Sequence, residues 1–251
     1  MKYIDIPNLP EKAVKTVIVD GRITYDLEKS LLDYGIRVIK TLEHPLVYSA
    51  ISYHPDIMLH HIEKEYIIYA PQTHPVLLMR LASEGFKLIE GDSVLTPKYP
   101  GSIAYNVARV GNLAFHNLKY TDPILRRELE ARNVELVHIN QGYAKCSISI
   151  VNHNSIITSD AGIAKIAESK GLEVLLIDSE DGIRLQGVDK GFIGGASGLV
   201  DCDKWLISGN IDTLKNAQRI YDFLVDRNIE PVSLYGGEVL DIGSILPVLT
   251  E

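Results

Sequence analysis

The residues of this sequence best suited to covalent chemistry are its two cysteines, Cys146 and Cys202. Cys146 follows Lys145, and a neighbouring ammonium lowers the pKa of a thiol and so favours the nucleophilic thiolate. Cys202 lies between Asp201 and Asp203, whose negative charges raise a thiol pKa by repelling the thiolate. We therefore expect Cys146 to be the stronger nucleophile, although its place in an apolar run is also typical of a small buried strand residue.

A second group of side chains, His54, Asp56, His60 and His61, has the ligand types that suit zinc and similar ions. If these residues lie on one strand, 54, 56 and 60 share a face while 61 points away from it. The neighbouring residue Leu59 belongs to a core. The sequence therefore favours a structural role for this group, and we predict no metal site and no cofactor.

Glycines are dense in the run 191–198, where backbone N–H groups could approach an anion. The run lacks the Lys-Ser/Thr ending of a phosphate-binding loop and leads into Leu199 and Val200, not into an amphipathic helix. We favour the interpretation that these glycines lie where crowding excludes side chains.

The composition, with 46% apolar and 23% charged residues over 251 positions, is that of a globular chain with a sizeable core. The formal net charge of −8, without a basic run, argues against nucleic-acid binding. The apolar runs are too short to span a membrane, and the first residues lack the layout of a signal peptide. We expect a cytoplasmic protein without a disulfide framework; the oligomeric state does not follow from the sequence.

The elements that must position these residues recur along the chain. Five times, a helix-like stretch ends at Gly or Asn, and an alternating apolar strand follows. Gly and Asn accept the left-handed conformation that ends a helix. A short apolar segment precedes each helix, so each helix lies between two predicted strands. The five helix-ending residues are Gly35, Gly85, Asn133, Gly171 and Asn228.

Other residues mark where the helices start. Asp122 stands before Pro123, Asp160 before Ala161, and Pro75 is a weaker mark of the same kind. After each helix and its following strand comes a further segment of small and apolar residues, which we predict to be a third strand. These segments are 52–59, 104–110, 145–151, 194–200 and 241–248.

One unit is therefore strand, helix, strand, strand, and a unit this small must pack against copies of itself to bury its sheet. We place five units, in a single domain over 1–251, at 17–65, 66–112, 113–155, 156–204 and 205–251. Five copies favour a closed ring. The alternative is an open doubly wound sheet, in which the third strand would be surplus.

This layout resembles the pentein, or guanidine-modifying-enzyme, fold, a five-fold pseudo-symmetric α/β propeller found in arginine deiminases, agmatine deiminases, amidinotransferases and dimethylarginine hydrolases. The family's Glu-Gly-Gly-Asp signature is echoed by Glu90-Gly91-Asp92, and the acid of its Arg-Asp signature by Asp56. The resemblance covers nearly the whole chain. It implies an axial site where carboxylates bind a guanidinium, a His moves protons and a Cys attacks the guanidinium carbon.

The sequence departs from the family's pattern at two places. In the fifth unit, Leu240 and Asp241 stand where the family has His and Cys. In the third unit, Tyr143 falls on the family's His position if strand lengths are kept, and a shifted register offers His138 instead. The resemblance therefore implies a divergent member without the C-terminal catalytic cysteine.

The resemblance places a set of mostly acidic side chains at the ring axis, which implies a small cationic or amino-acid-like ligand, bound and hydrolysed by Asp or Glu general bases if the protein is an enzyme. The alternative is a non-catalytic interaction protein on the same fold, like a ribosome anti-association factor. Neither nucleic acid nor membrane is an expected partner. The expected catalytic residues are Cys146, Asp92 and Asp241, and the expected ligand-binding residues are Asp56, Glu90, Asn106, Tyr143, Lys145 and Glu238.

Overall fold

The computed structural model describes residues 1–179, 182–188 and 190–251. Its α-helices are α1 (Tyr25–Asp33), α2 (Pro55–Met58), α3 (Pro75–Ser83), α4 (Pro123–Glu130), α5 (Ala144–Ser147), α6 (Ala161–Ser169) and α7 (Ala217–Val225), with a 3-10 helix at Ile211–Thr213. Its strands are β1 (Lys2–Tyr3), β2 (Val14–Val19), β3 (Arg37–Lys40), β4 (Leu59–Glu63), β5 (Tyr66–Tyr69), β6 (Lys87–Glu90), β7 (Ala108–Val110), β8 (Leu113–His116), β9 (Glu135–His138), β10 (Ile148–Asn152), β11 (Ser155–Thr158), β12 (Glu173–Leu176), β13 (Ser197–Asp201), β14 (Lys204–Ile207), β15 (Glu230–Ser233) and β16 (Leu246–Thr250).

The described strands form five small sheets that repeat one arrangement. Four sheets have the orders β4-β5-β6, β7-β8-β9, β10-β11-β12 and β13-β14-β15. In each of them the first two strands pair antiparallel, and a helix connects the second strand to a parallel third. In the remaining sheet, β1-β16-β2-β3, the C-terminal β16 takes the place of the first strand. It pairs antiparallel with β2, and β2 pairs parallel with β3. The predicted repeat is confirmed, and the open doubly wound sheet is wrong.

The local signals for the helix ends are confirmed at all five positions. The helix-ending residues have positive φ values, namely 74° at Gly35, 91° at Gly85, 56° at Asn133, 82° at Gly171 and 57° at Asn228. Such values are cheap for glycine and tolerated by asparagine, so the chain can leave each helix and enter the next strand within two residues.

The predicted helix starts are also present. The Asp122 carboxylate accepts hydrogen bonds from Ile124 N and Leu125 N at the start of α4, and Asp160 caps α6 in the same way. Helix α3 begins at Pro75. The helices of eight or nine residues bury apolar side chains four residues apart, a spacing that places both on one face. In the first helices these pairs are Leu27 and Leu31, Leu77 and Leu81, and Leu125 and Leu129.

Hydrogen bonds close the five units into a ring. In each sheet, the segment before the first strand (β4, β7, β10, β13 or β16) reaches the common centre. Each of these segments is hydrogen-bonded to the corresponding segment of the next unit. The bonds run from Asn106 Nδ2 to Asp56 O (3.0 Å), from Lys145 N to Asn106 O (3.2 Å), from Gly195 N to Cys146 O (2.9 Å), from Ser244 N to Gly195 O (2.7 Å) and from Asp56 N to Gly243 O (3.4 Å).

The predicted third strands are wrong at their first residues. In segment 52–59, residues 55–58 form α2 and only Leu59 belongs to a strand. The start of segment 145–151 lies in α5, and its strand begins at Ile148. In the other three segments a loop precedes β7, β13 or β16. Crowding at the centre explains the change, because the chain must turn there to enter its own sheet. Among the described residues no helix has the length and apolar character needed to cross a membrane.

Candidate functional site

The ring centre holds a buried polar cluster. It contains Asp56 from α2, Lys145 and Cys146 from α5, Asn106 from the loop before β7, and Asp241 and Ser244 from the loop before β16. Each of these side chains is at most 5% exposed. Five of the predicted site residues, Asp56, Asn106, Lys145, Cys146 and Asp241, therefore lie together at the centre.

Asn106 fixes the position of the Cys146 thiol. Its Oδ1 accepts hydrogen bonds from Lys145 N (2.8 Å) and Cys146 N (3.3 Å), and its Nδ2 donates to Cys146 Sγ (3.2 Å). The thiol in turn donates to Asp56 Oδ2 at 3.1 Å. The amide side chain thus orients both the backbone and the sulfur of α5.

Burial decides the protonation of this thiol. Loss of water, followed by the nearby charges of Asp56 and Asp241, raises the pKa of Cys146 well above its usual value. The net direction is therefore opposite to the one that the neighbouring Lys145 ammonium alone would give. Burial lowers the pKa of Lys145 itself, and its ammonium points to Ser244 Oγ (2.9 Å) and Gly194 O (3.4 Å). Cys146 is therefore a protonated hydrogen-bond donor in this arrangement.

Asp241 is a buried carboxylate held by backbone groups. Its Oδ1 accepts from Gly243 N (3.0 Å) and its Oδ2 from Phe192 N (2.9 Å). Burial raises its pKa, and the charge of Asp56 adds to this effect, while His54 opposes it. Gly195 permits the close approach, because a Cβ at that position would lie 2.0 Å from Asp241 Oδ1.

His54 is a central residue for which the sequence predicted only a structural role. It precedes α2, is 1% exposed, and lies between two carboxylates, 3.8 Å from Asp20 Oδ2 and 3.9 Å from Asp241 Oδ1. Neither of its ring nitrogens has a hydrogen-bond partner among the described residues. The spacing His54-Pro55-Asp56 was the available signal, because Pro55 at the first helical position turns both side chains inward.

Asp20 is the second carboxylate beside His54, and it is paired with Arg22. Arg22 binds it with two nitrogens, Nε to Oδ1 at 3.0 Å and Nη2 to Oδ2 at 2.6 Å. The Arg22 guanidinium also lies over the ring of Tyr53, 4.7 Å from its centroid. Asp20 was missed by the sequence interpretation, because a lone acid after a strand carries no distinguishing signal.

Four predicted site residues do not join the buried cluster. Glu90, Asp92 and Glu238 are exposed, and Glu238 pairs with Arg184 at 3.0 Å. Asp92 N donates to Asp122 Oδ2. Tyr143 is half-buried at the edge of the centre, with its hydroxyl 2.8 Å from Ser102 Oγ. Glu90 and Asp92 therefore match the family signature in sequence, but both are exposed at the protein surface.

The sequence analysis disfavoured metal ligands on the assumption that His54 and Asp56 lie on a strand, and that assumption is wrong. His54 and Asp56 lie at the start of α2, not on a strand, and they meet Cys146 from the third unit. The potential ligand atoms of His54, Asp56 and Cys146 all lie within 4.8 Å of one another. His60 and His61 follow on β4, where burial lowers their pKa values to about 3 and about 4.

Two small cavities adjoin the cluster. One of about 80 Å³ is lined by Asp20, Arg22, Leu185, Gln186 and Asp241, among others. One of about 20 Å³ is lined by Asp56, His60, Lys145 and Tyr105, among others. A larger cavity of about 410 Å³ lies to the side, between Asp178, Arg184 and Lys215, and it does not contact the cluster residues.

Comparisons with known proteins agree with this architecture. A family described as "Family of unknown function (DUF6873)" matches residues 18–246. No curated protein matches the chain. Similar solved structures include an inosamine-phosphate amidinotransferase from Streptomyces griseus (TM-score 0.56, 13% identity, 95% of this chain and 96% of that chain), DDAH from Pseudomonas aeruginosa (0.55, 10%, 94% and 100%) and agmatine deiminase from C. jejuni (0.56, 8%, 100% and 96%). The chain has the pentein fold of these guanidine-modifying enzymes.

Proposed function

The chain belongs to this family of unknown function, DUF6873, and we propose that it binds a small amino-acid-like metabolite through one cationic group, a guanidinium or an ammonium, placed beside Asp241. One observation carries the proposal. Two buried carboxylates, Asp20 and Asp241, line the same cavity of about 80 Å³ at the ring centre.

The charges at this cavity leave Asp241 as the group that needs a cation. Arg22 neutralises Asp20 through a bidentate pair. Asp241 has two backbone N–H groups and the His54 ring at 3.9 Å. Because burial raises its pKa, a bound cation would stabilise the ionised carboxylate that burial disfavours.

The size of the cavity restricts what enters it. A space of about 80 Å³ has room for several water molecules, since one water needs roughly 10 to 15 Å³ of such volume. It admits a small cationic group such as an ammonium or a guanidinium. The remainder of the ligand would extend past Gln186, an exposed residue at the rim.

The fold is consistent with ligands of this class. The similar structures include DDAH complexed with citrulline and an agmatine deiminase with substrate bound. For this chain the argument rests on Asp20 and Asp241. No comparable observation favours the alternative of a non-catalytic interaction protein.

Thermal unfolding with candidate ligands tests the proposal. Agmatine and arginine should raise the melting temperature, whereas N-acetylcitrulline, which carries neither a guanidinium nor an ammonium group, should not. At a ligand concentration of 100 Kd the native state gains about 2.7 kcal/mol. For a chain of this size that corresponds to roughly 5 to 10 °C.

Three variants make the test specific. Asp241→Asn removes the charge, and Gln186→Trp blocks the cavity from an exposed position, so both should abolish the shift. Glu238→Gln removes an exposed carboxylate nearby and should keep it. If neither cation shifts the melting temperature, or N-acetylcitrulline shifts it equally, the proposal is wrong. Should Asp241→Asn unfold, Gln186→Trp decides alone.

A further inference from the structure

We propose that His54, Asp56 and Cys146 form a binding site for one divalent transition-metal ion with the ligand preferences of zinc. The three side chains come from two different units of the ring, and their potential ligand atoms lie within 4.8 Å of one another. Imidazole, carboxylate and thiolate are the ligand types that zinc takes in proteins. This inference goes beyond the proposed function, since it concerns other side chains than the cavity beside Asp241.

Unpartnered buried atoms point to a missing ligand at this place. His54, Asp56 and Cys146 are only 1%, 2% and 3% exposed. His54 Nδ1, His54 Nε2 and Asp56 Oδ1 nevertheless have no hydrogen-bond partner among the described residues. Buried polar atoms are almost always paired, because an unpaired one loses its interactions with water without compensation. A metal ion would occupy one histidine nitrogen and the free carboxylate oxygen together.

The distances fit a small ion after limited adjustment. Zinc ligand atoms at about 2.0 to 2.3 Å from the ion are roughly 3.3 to 3.8 Å apart in a tetrahedron. Cys146 Sγ lies 3.1 Å from Asp56 Oδ2, the other oxygen of the carboxylate whose free Oδ1 would bind the ion. A contraction of about 1 Å at the widest pair, which side-chain rotation supplies, completes the set.

The residues around the three proposed ligands are of the kinds that orient the ligands in metal sites by hydrogen bonds. If His54 Nδ1 binds the ion, Nε2 faces Asp20 Oδ2 at 3.8 Å. If Nε2 binds it, Nδ1 faces Asp241 Oδ1 at 3.9 Å. Ser244 Oγ lies 2.8 Å from Asp56 Oδ2 and leaves Oδ1 free. Asn106 holds the sulfur through its amide.

Charge and proton balance also favour a dication. On binding, the Cys146 thiol releases its proton to solvent, and its sulfur lone pair forms the bond to the ion without any change of oxidation state. The thiolate and the Asp56 carboxylate then carry two negative charges against two positive ones. Asp241 remains available for the cation of the proposed ligand.

Three protein ligands leave the fourth position of a tetrahedral ion to solvent. Of the three, Asp56 lines the cavity of about 20 Å³, which is large enough for one water molecule. Three protein ligands and one solvent position are the arrangement of catalytic zinc sites, whereas structural sites use four protein ligands. The site therefore has the composition of a centre that activates water or polarises a substrate.

The chain supplies its own comparison site. Asp201, Cys202 and Asp203 also bring a thiol and two carboxylates within 4.8 Å of one another. They are consecutive residues at an exposed hairpin turn, and Cys202 itself is exposed. Water screens this group, so it should bind metal weakly, and Cys202→Ser is the matched control for Cys146→Ser.

Cobalt binding tests the proposal with a direct readout. The full chain, treated with a chelator under reducing conditions, is titrated with Co²⁺. We expect one equivalent to bind with a sulfur-to-cobalt charge-transfer band in the near ultraviolet, and Zn²⁺ to displace it. Cys146→Ser should abolish the band, and His54→Gln and Asp56→Asn should weaken binding at least about tenfold. Cys202→Ser should change neither.

The outcomes separate this proposal from the previous one. A wild-type chain that binds no Co²⁺ at micromolar concentrations, or binds it without a thiolate band, overturns the metal site whatever the variants do. A band that survives in Cys146→Ser and disappears in Cys202→Ser assigns it to the hairpin and overturns the proposal as well. Absence of a melting shift with agmatine leaves the cobalt band unaffected, so each proposal can fail alone.

Discussion

Replacement of Gly194 by alanine tests the close packing at the ring centre. A Cβ on Gly194 would lie 2.4 Å from Lys145 O and 2.4 Å from Ile148 O, whereas real Cβ atoms essentially never come closer than 3.0 Å to such atoms. Both neighbours are backbone carbonyls of the third unit, so no side chain can rotate away. The two units must separate by at least 0.6 Å, the difference between these distances.

The expected cost follows from two opposing effects. Overpacking of this kind costs about 1 to 3 kcal/mol. The alanine recovers roughly 0.4 to 1 kcal/mol by restricting the unfolded chain. Because the ring hydrogen bond from Gly195 N to Cys146 O holds the two segments together between these carbonyls, we take the upper part of the range and expect a net loss of about 2 kcal/mol. That lowers the melting temperature by roughly 4 to 8 °C.

Gly236→Ala is the matched control, because a Cβ there meets nothing within 4 Å. It should leave the stability unchanged or raise it by up to about 1 kcal/mol. Urea unfolding of both variants, followed by the fluorescence of the buried Trp205, measures the difference. If Gly194→Ala lies within about 0.5 kcal/mol of wild type, a value expected for surface changes, the units are not packed as the structure has them.

Two further predictions follow from burial. Iodoacetamide should modify Cys202 and spare Cys146 in the native protein, because Cys146 is buried and its pKa is raised. In denaturant both cysteines should react. Intact-mass analysis that finds Cys146 labelled as fast as Cys202 in the native protein would contradict this. Stability should fall as the pH drops from 7 to 5, because burial lowers the pKa of His116 to about 4 and the unfolded chain then binds the proton more readily. With an unfolded value of about 6.5, His116 alone accounts for a loss of about 2 kcal/mol at pH 5, in addition to the contributions of His60 and His61, which act in the same direction. By urea midpoints at both pH values, His116→Gln should lose about 2 kcal/mol less than wild type, and an equal loss would contradict this.

The repeat was predictable because local chemistry specifies it. Gly35, Gly85, Asn133, Gly171 and Asn228 mark helix ends through their own tolerance of positive φ, which needs no tertiary contact. The caps at Asp122 and Asp160 are equally local. Five such marks along the chain were therefore sufficient to predict the number of units and the order of their elements.

The short helices at the centre were not predictable in the same way. Helices α2 and α5 have four residues each and no side-chain cap hydrogen bond. Such a turn carries no periodic pattern, so the small and apolar residues around it were interpreted as strand. Contacts with the neighbouring units determine its conformation, and these contacts join residues far apart in sequence.

Acidic residues illustrate the same limit. Glu90 and Asp92 match the family signature, yet they are exposed, whereas Asp20 matches nothing and is buried against Arg22. Charge by itself does not tell an axial acid from a solvated one, because the difference lies in which units face each other. Its distance of 3.8 Å to His54 Nε2 in the folded chain identifies Asp20 as a central group.

The Lys145–Cys146 pair shows how the fold changes the chemistry that a sequence predicts. In water the ammonium would stabilise a thiolate, but at the ring centre burial disfavours both charges, lowering the pKa of Lys145 and raising that of Cys146. A thiol in such a place is a poor nucleophile unless a stronger positive charge replaces the proton. A dication shared with His54 and Asp56 would be a charge of that kind, and because it must displace the thiol proton, its binding should strengthen as the pH rises.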